Sequence, residues 1–352
     1  MRTFHILLFF ALSILLLLSC GTDANENDPE DIIYLAENGI TIMCPNGRVG
    51  ELHIVNDIEY EVVDRRLLET RRDEGNDLSK VCVSLITNMG LLFDDTSFNQ
   101  PIGNWDVSNV TDMVSMFRDT PFNEPIRYWD VSNVWRTNKM FYNSSFNQPI
   151  GEWNVSNVAD MTGMFSLSDF DQPVGNWDVS NVKMMPGIFA GSPFNQPVGN
   201  WDVSRAESMG GMFRDTNFNQ PIGSWDVSNV ENMKLMFTRS LFNQSISNWD
   251  VSNVKHMEFM FMDSPFNQPI GSWNVGSVEL MWNMFRNSSF NQPIREWDVS
   301  NVSGMLGMFA NSSFNQPIHT WCIPLITSEP GAFSTGSPLT EENKPVWGTC
   351  PD

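Results

Sequence analysis

Cations are scarce in this sequence. Its 352 residues hold 20 lysines and arginines against 42 aspartates and glutamates, a formal charge of −22. Phosphate binding needs clustered cations, so no nucleic acid is expected as a partner. Docking on anionic lipid through a basic patch is excluded on the same ground. Histidine and tyrosine are also scarce, at four each. His5 falls in the leader, and His53, His256 and His319 lie in unrelated contexts without a nucleophile in phase. No H-E-x-x-H, G-x-S-x-G or P-loop sequence occurs. Carboxylates are plentiful, but no pair stands apart from the general pattern as an acid and base. The expectation is a non-enzyme with no cofactor and no metal. Charged residues make up only 18 % and hydrophobic ones 41 %, too apolar for an acidic disordered tail, so a sizeable core is expected. What is abundant is aromatic and sulfur-bearing: 13 Trp, 25 Phe and 21 Met. Such a bias suggests a repeated template.

Arg2 is the only charge before an apolar run from Ile6 to Leu18, which ends Leu17-Leu18-Ser19-Cys20-Gly21. The run suits a signal-peptide core and is short for a membrane span. The Leu-x-Ser-Cys ending resembles a bacterial lipobox. That resemblance implies cleavage after residue 19 and lipidation of Cys20. An ordinary secretory signal or an uncleaved anchor are the alternatives. Residues 20–31 carry Asp23, Glu26, Asp28, Glu30 and Asp31 and read as an acidic tether. Acidic residues directly behind the lipidated cysteine also resemble the surface-export signals of some Gram-negative lipoproteins. The expected location is the bacterial outer membrane, facing outward, with the lipid as the only membrane contact.

Four further cysteines lie in two pairs at opposite ends: Cys44 with Cys82, and Cys322 with Cys350. Four cysteines allow three connectivities, and proximity favours the two local ones. In an oxidising compartment these would be structural disulfides. Zinc is the rival, but the spacings have no C-x₂-C character.

Periodicity dominates the rest. Trp105 recurs as Trp129, Trp153, Trp177, Trp201, Trp225, Trp249, Trp273, Trp297 and Trp321, every step 24 residues. Phe98 and Phe93 each start a phenylalanine series on the same clock. The unit reads W-D-V-S-N-V-x-x-M-x-x-M-F-x-x-x-x-F-N-Q-P-I-G-x. Degraded copies flank it, Val81–Phe93 at one end and Trp321–Phe333 at the other. The array therefore spans about eleven 24-residue coils over 81–344, with atypical end coils acting as caps. No unit can bury its apolar residues alone, so stacking must build the core. In Ile102–Val107 apolar alternation predicts a short strand. From Ser108 to Phe117, apolar residues at 110, 113, 116 and 117 predict one or two helical turns. A strand, a corner and a short helix per coil make an α/β leucine-rich-repeat-like solenoid, roughly 50 Å long on its inner side.

The units Trp105–Phe117 and Trp225–Phe237 resemble the surface-protein repeat of BspA-type leucine-rich-repeat lipoproteins. The resemblance covers about three quarters of the chain. It implies a surface-attached solenoid used in adhesion and protein binding, without known catalysis, and it assigns no binding residues.

Residues 32–80 differ from the array. Apolar alternation in Ile40–Met43, Leu52–Val55 and Ile58–Val63, with Asn56-Asp57 as a hairpin turn, predicts a small β-rich N-terminal cap. Asp64 is placed to cap a helix over Arg65–Arg72 that Gly75 ends. Residues 345–352 read as a C-terminal cap tail.

Two ladders invite a chemical reading. The Asp106, Asp130, Asp178, Asp202, Asp226, Asp250 and Asp298 series could form a calcium rail. Asn154 and Asn274 replace it in two units, however, which favours a structural Asx turn. The Asn-Gln pairs, such as Asn147/Gln148, read as a stacked amide ladder that satisfies corner backbone groups. Recognition is expected where the template varies, in the two positions after the second Val and the two before Met-Phe. The candidate binding face is Trp135, Arg136, Lys255, Phe259 and Trp282, offered to an extracellular protein or glycan by a monomer. Unconstrained surface variation is the competing reading. A surface enzyme acting on polysaccharide and a purely architectural protein are the alternatives in function.

Overall fold

The computed structural model describes residues 32–351. The leader, Cys20 and the tether to residue 31 lie outside the described residues. Among those described, no helix is long and apolar enough to cross a membrane.

The N-terminal cap follows its local sequence signals. Strands β1 (Tyr34–Leu35) and β2 (Ile42–Met43) pair antiparallel, as do β3 (Leu52–Val55) and β4 (Ile58–Val62). Asn56 and Asp57 both sit at positive φ, 50° and 63°, which a tight two-residue hairpin turn requires. Helix α1 (Arg65–Asp73) starts where the Asp64 carboxylate accepts a hydrogen bond from the Leu67 N–H. Gly75 (φ 73°) follows the helix end. Strand β5 (Val81–Cys82) then pairs parallel to β4 and leads into the first coil. Cap and coils belong to one compact unit.

The repeats form a solenoid, but each coil takes a different path from the expected strand and helix. No helix forms over Ser108–Phe117. Ser115 (φ 53°) and Asp119 (φ 55°) are left-handed, as are the equivalents Lys139 and Asn143 one coil later, and left-handed residues interrupt any α-helix. The N–H groups of Met113, Ser115, Phe117 and Asp119 donate instead to the carbonyls of Arg136, Asn138, Met140 and Tyr142, at 2.8–3.1 Å. The apolar 3–4 spacing reflects i→i−3 turns, such as Met116 N–H to Met113 O, rather than helix. No strand forms over Ile102–Val107 either. That stretch is a turn closed by Trp105 N–H on Ile102 O, and its only pairing is a single bridge between Trp105 and Ile42. Parallel pairing between coils runs elsewhere, through single-residue bridges from Asn88 and Asp112 to Leu280 and Gly304. The α/β description therefore fits the cap; the coils are built from turns stitched side to side.

The core is the stacked aromatic ladder. Trp105 and Trp129 lie parallel with centroids 6.3 Å apart, and Phe117 stacks on Phe122 at 3.9 Å and on Phe141 at 5.6 Å. All ten in-phase tryptophans are buried. Each such ring removes about 150–250 Å² from water, worth roughly 4–6 kcal/mol as an upper bound. Their polar handles are satisfied: Trp129 Nε1–H donates to Ile102 O of the preceding coil at 3.1 Å, and Trp225 Nε1–H to Val198 O at 3.0 Å. Buried hydroxyls such as Thr120 close the corner by donating to Phe117 O at 2.8 Å.

Both ends are closed. At the N-terminal end α1 lays arginines on the first coil. At the other end Trp347 packs edge-on against Phe333, with centroids 4.9 Å apart, and Ile323 N–H donates to Thr349 O. The cysteines stand at disulfide distance in two pairs, Cys44 with Cys82 and Cys322 with Cys350.

Candidate ligand-binding face

The two variable positions after the second valine run in neighbouring files along the solenoid. Trp135 N–H donates to Thr111 O, Ala159 N–H to Trp135 O, and the file continues through Lys183, Glu207, Glu231, Lys255 and Glu279 to Ser303. The neighbouring file is the bridge ladder itself, from Asn88 through Arg136, Met184 and His256 to Gly304. Side chains along these rows pair between coils. Lys183 Nζ reaches Glu207 at 2.8 Å, Lys255 reaches Glu231, and Arg136 reaches Asp112. Pairs this exposed are each worth no more than about 1 kcal/mol, so they shape the surface more than they hold the fold.

The template residues are already committed. Asp178 Oδ1 accepts from Ser180 N at 3.1 Å, and Asn154 and Asn274 make the same turn with Ser156 and Gly276. The Asn ladder accepts corner N–H groups, as in Asn147 N–H to Asn123 Oδ1 at 2.9 Å, with Gln148 Nε2 on the same oxygen at 3.1 Å. Hydrogen bonds donated by Ser204, Ser252 and Ser300 hold the Asp202, Asp250 and Asp298 carboxyls below the usual range.

The five expected binding residues fall into two patches. Trp135 is 46 % exposed, and the Arg136 guanidinium lies over its ring at 4.2 Å. Five coils further on, roughly 24 Å away at the spacing of parallel strands, come Lys255 and Phe259, with Trp282 one coil beyond them. There Phe259 N–H donates to Trp282 O at 2.8 Å, which makes the two residues neighbours. Lys255 Nζ donates to Glu231 Oε2 at 2.8 Å, and this bond raises the lysine above its ordinary range.

Residues around the second patch escape the sequence reading. Glu258 is only 3 % exposed; its carboxylate lies 3.8 Å from Lys234 Nζ and 3.6 Å from His256 Nδ1. Lys234 Nζ also stands 6.0 Å from the Phe259 ring centre. Gly304 is the one residue of the bridge ladder without a side chain. That omission is a sequence signal for this patch.

The fold defines a tandem-repeat solenoid with a closed aromatic interior. The chain belongs to the family described as Mycoplasma protein of unknown function, DUF285, whose model matches residues 65–170, 143–244, 166–266 and 240–344 in overlapping tandem. No curated protein and no solved structure matches the chain.

Proposed function

We propose that the protein is an exported, lipid-anchored surface solenoid that binds an extracellular protein or glycan along its variable face. The observation that carries the reading is a division of labour. The repeated Trp, Phe, Met, Asn and Asp positions are consumed by packing and turns, which leaves residues that differ from coil to coil, such as those in the Trp135 and Arg136 files, free for recognition. The finer kinship we propose is with BspA-type leucine-rich-repeat lipoproteins, about eleven coils over 81–344; the W-D-V-S-N-V-x-x-M-x-x-M-F spacing supports it. The Leu17-Leu18-Ser19-Cys20 sequence supports lipidation at Cys20.

The test is capture of host glycoproteins and glycans by the purified protein, compared with a Trp135→Ala/Phe259→Ala/Trp282→Ala variant. The proposal expects capture that the variant loses. Equal capture by both removes these anchors, and no capture by either removes the binding reading. For the anchor, Cys20→Ser is expected to abolish labelling by radioactive palmitate and release the protein from the membrane fraction. Unchanged labelling contradicts lipidation at Cys20.

A further inference from the structure

Resting on the reading of this side as a binding face, we propose that Trp282 and its neighbours form a subsite for the ring of a neutral sugar residue.

The seat of the indole is built by an absence. A Cβ placed on Gly304 would fall 2.0 Å from Trp282 Nε1 and 2.9 Å from Cδ1 and Cε2, so the Nε1 edge of the indole packs against the glycine backbone. The same row carries His256 and Leu280 in the two preceding coils. Any side chain at Gly304 would lift the indole off. Trp282 remains 39 % exposed, so it lies as a platform with its outer side open. Trp135 offers no such platform, because Arg136 covers its ring.

A polar rim flanks the platform. One coil back, at the position equivalent to Trp282, the Glu258 carboxylate is buried. His256 and Lys234 stand beside that carboxylate with their own side chains partly exposed.

This combination suits a pyranose. Such a ring presents axial C–H groups on one face and hydroxyls around its edge. The C–H face rests on the electron-rich face of an indole. The hydroxyls can accept from Lys234 and donate to the His256 imidazole. A stable protein interface needs about 800 Å² per partner with an apolar centre. Here one aromatic platform is bordered by charges already closed on each other, such as Lys255 with Glu231. The net charge of −22 selects against sialylated or sulfated glycans and for neutral ones.

The experiment applies the full-length protein to a printed array of neutral oligosaccharides of glucose, galactose, mannose and N-acetylhexosamines, with sialylated and sulfated counterparts. The proposal expects binding to neutral glycans and not to acidic ones. In titration with the strongest neutral oligosaccharide, Trp282→Ala weakens binding by at least about tenfold. Gly304→Leu does the same while keeping the indole, and Ile54→Ala, at an exposed residue of the N-terminal cap, leaves affinity unchanged. Circular dichroism and the melting temperature confirm that each variant is folded. A blank array, or affinity indifferent to Trp282→Ala in a folded protein, overturns the sugar subsite. If the array is blank but the protein still captures a deglycosylated protein through this face, the subsite falls and the binding reading stands. If nothing is captured either, both fall.

Discussion

Arg65 Nη2 donates to the carbonyl oxygen of Gly90 at 2.9 Å. The same guanidinium reaches Asn88 O at 3.1 Å, and Arg72, two helical turns further along α1, reaches Leu92 O. These three carbonyls belong to the first coil. The equivalent carbonyls of the next coil, those of Asp112, Val114 and Met116, accept from Met89, Leu91 and Phe93. The first coil has no earlier coil to supply donors, so two arginines on one side of α1 supply them. The open edge of the array is thereby closed by cations, which suit a row of exposed carbonyl oxygens.

Removing that closure is expected to fray the N-terminal end. Hydrogen bonds to charged groups contribute about 1.5–3 kcal/mol when well shielded, and partial exposure here lowers the figure. Arg65→Ala/Arg72→Ala is expected to cost about 2 kcal/mol in chemical denaturation. Hydrogen exchange should quicken in the first coil and α1 and stay unchanged in the coils around Trp225. Uniform exchange through the array would contradict the assignment of these arginines as an end cap.

The cysteine pairs close loops of 38 and 28 residues in sequence separation. Chain-entropy arguments give roughly 3–4 kcal/mol for each, model-dependent in mechanism. Cys44→Ser/Cys82→Ser is expected to loosen the cap, and Cys322→Ser/Cys350→Ser the tail that carries Trp347. Differential scanning calorimetry should show the loss for each pair separately. A melting profile unchanged by both double variants would contradict the stabilising role.

Acid should weaken the fold through its turn carboxylates. Serine hydrogen bonds lower Asp202, Asp250 and Asp298 in the folded state. A lowered carboxyl stabilises fully above its unfolded value, about 3.9, and the contribution is lost as pH falls through the lower folded value. The melting temperature should be flat near neutrality and fall below about pH 4. Asp202→Asn/Asp250→Asn/Asp298→Asn should flatten that fall while preserving the turns, as Asn154 and Asn274 already do. An identical acid limb in the variant would contradict this source of pH dependence.

Much of the architecture is written plainly in the sequence. The period follows from Trp and Phe spacing alone, and the Asn56-Asp57 turn and Asp64 cap are local signals that tertiary packing leaves intact. The path within a coil is hidden. Val110, Met113, Met116 and Phe117 have the spacing of a helix, but the backbone reverses hand at Ser115 and Asp119. Gly163, Gly187, Gly211 and Gly307 betray that position in four coils, whereas Ser115, Lys139, Leu235 and Phe259 hold it without any local signature. Those residues accept a left-handed conformation because neighbouring coils hydrogen-bond on both sides, which no single-coil reading can show.

The candidate binding face is legible in the sequence as variation and not as geometry. Trp135 and Trp282 look alike as off-template aromatics. Only the fold separates them, by laying Arg136 over one and the bare Gly304 backbone against the Nε1 edge of the other. Glu258 drew no notice, because burial of a single carboxylate in a chain with 42 acids leaves no mark on composition.

The central claim is that ten in-phase tryptophans stack inside while the off-template ones face out, and iodide quenching of fluorescence tests it most directly. In a Trp135→Phe/Trp282→Phe variant the account predicts blue-shifted emission nearly insensitive to iodide, apart from the partly buried Trp347. Strong quenching of that variant would place the repeat tryptophans in water and contradict the stacked interior.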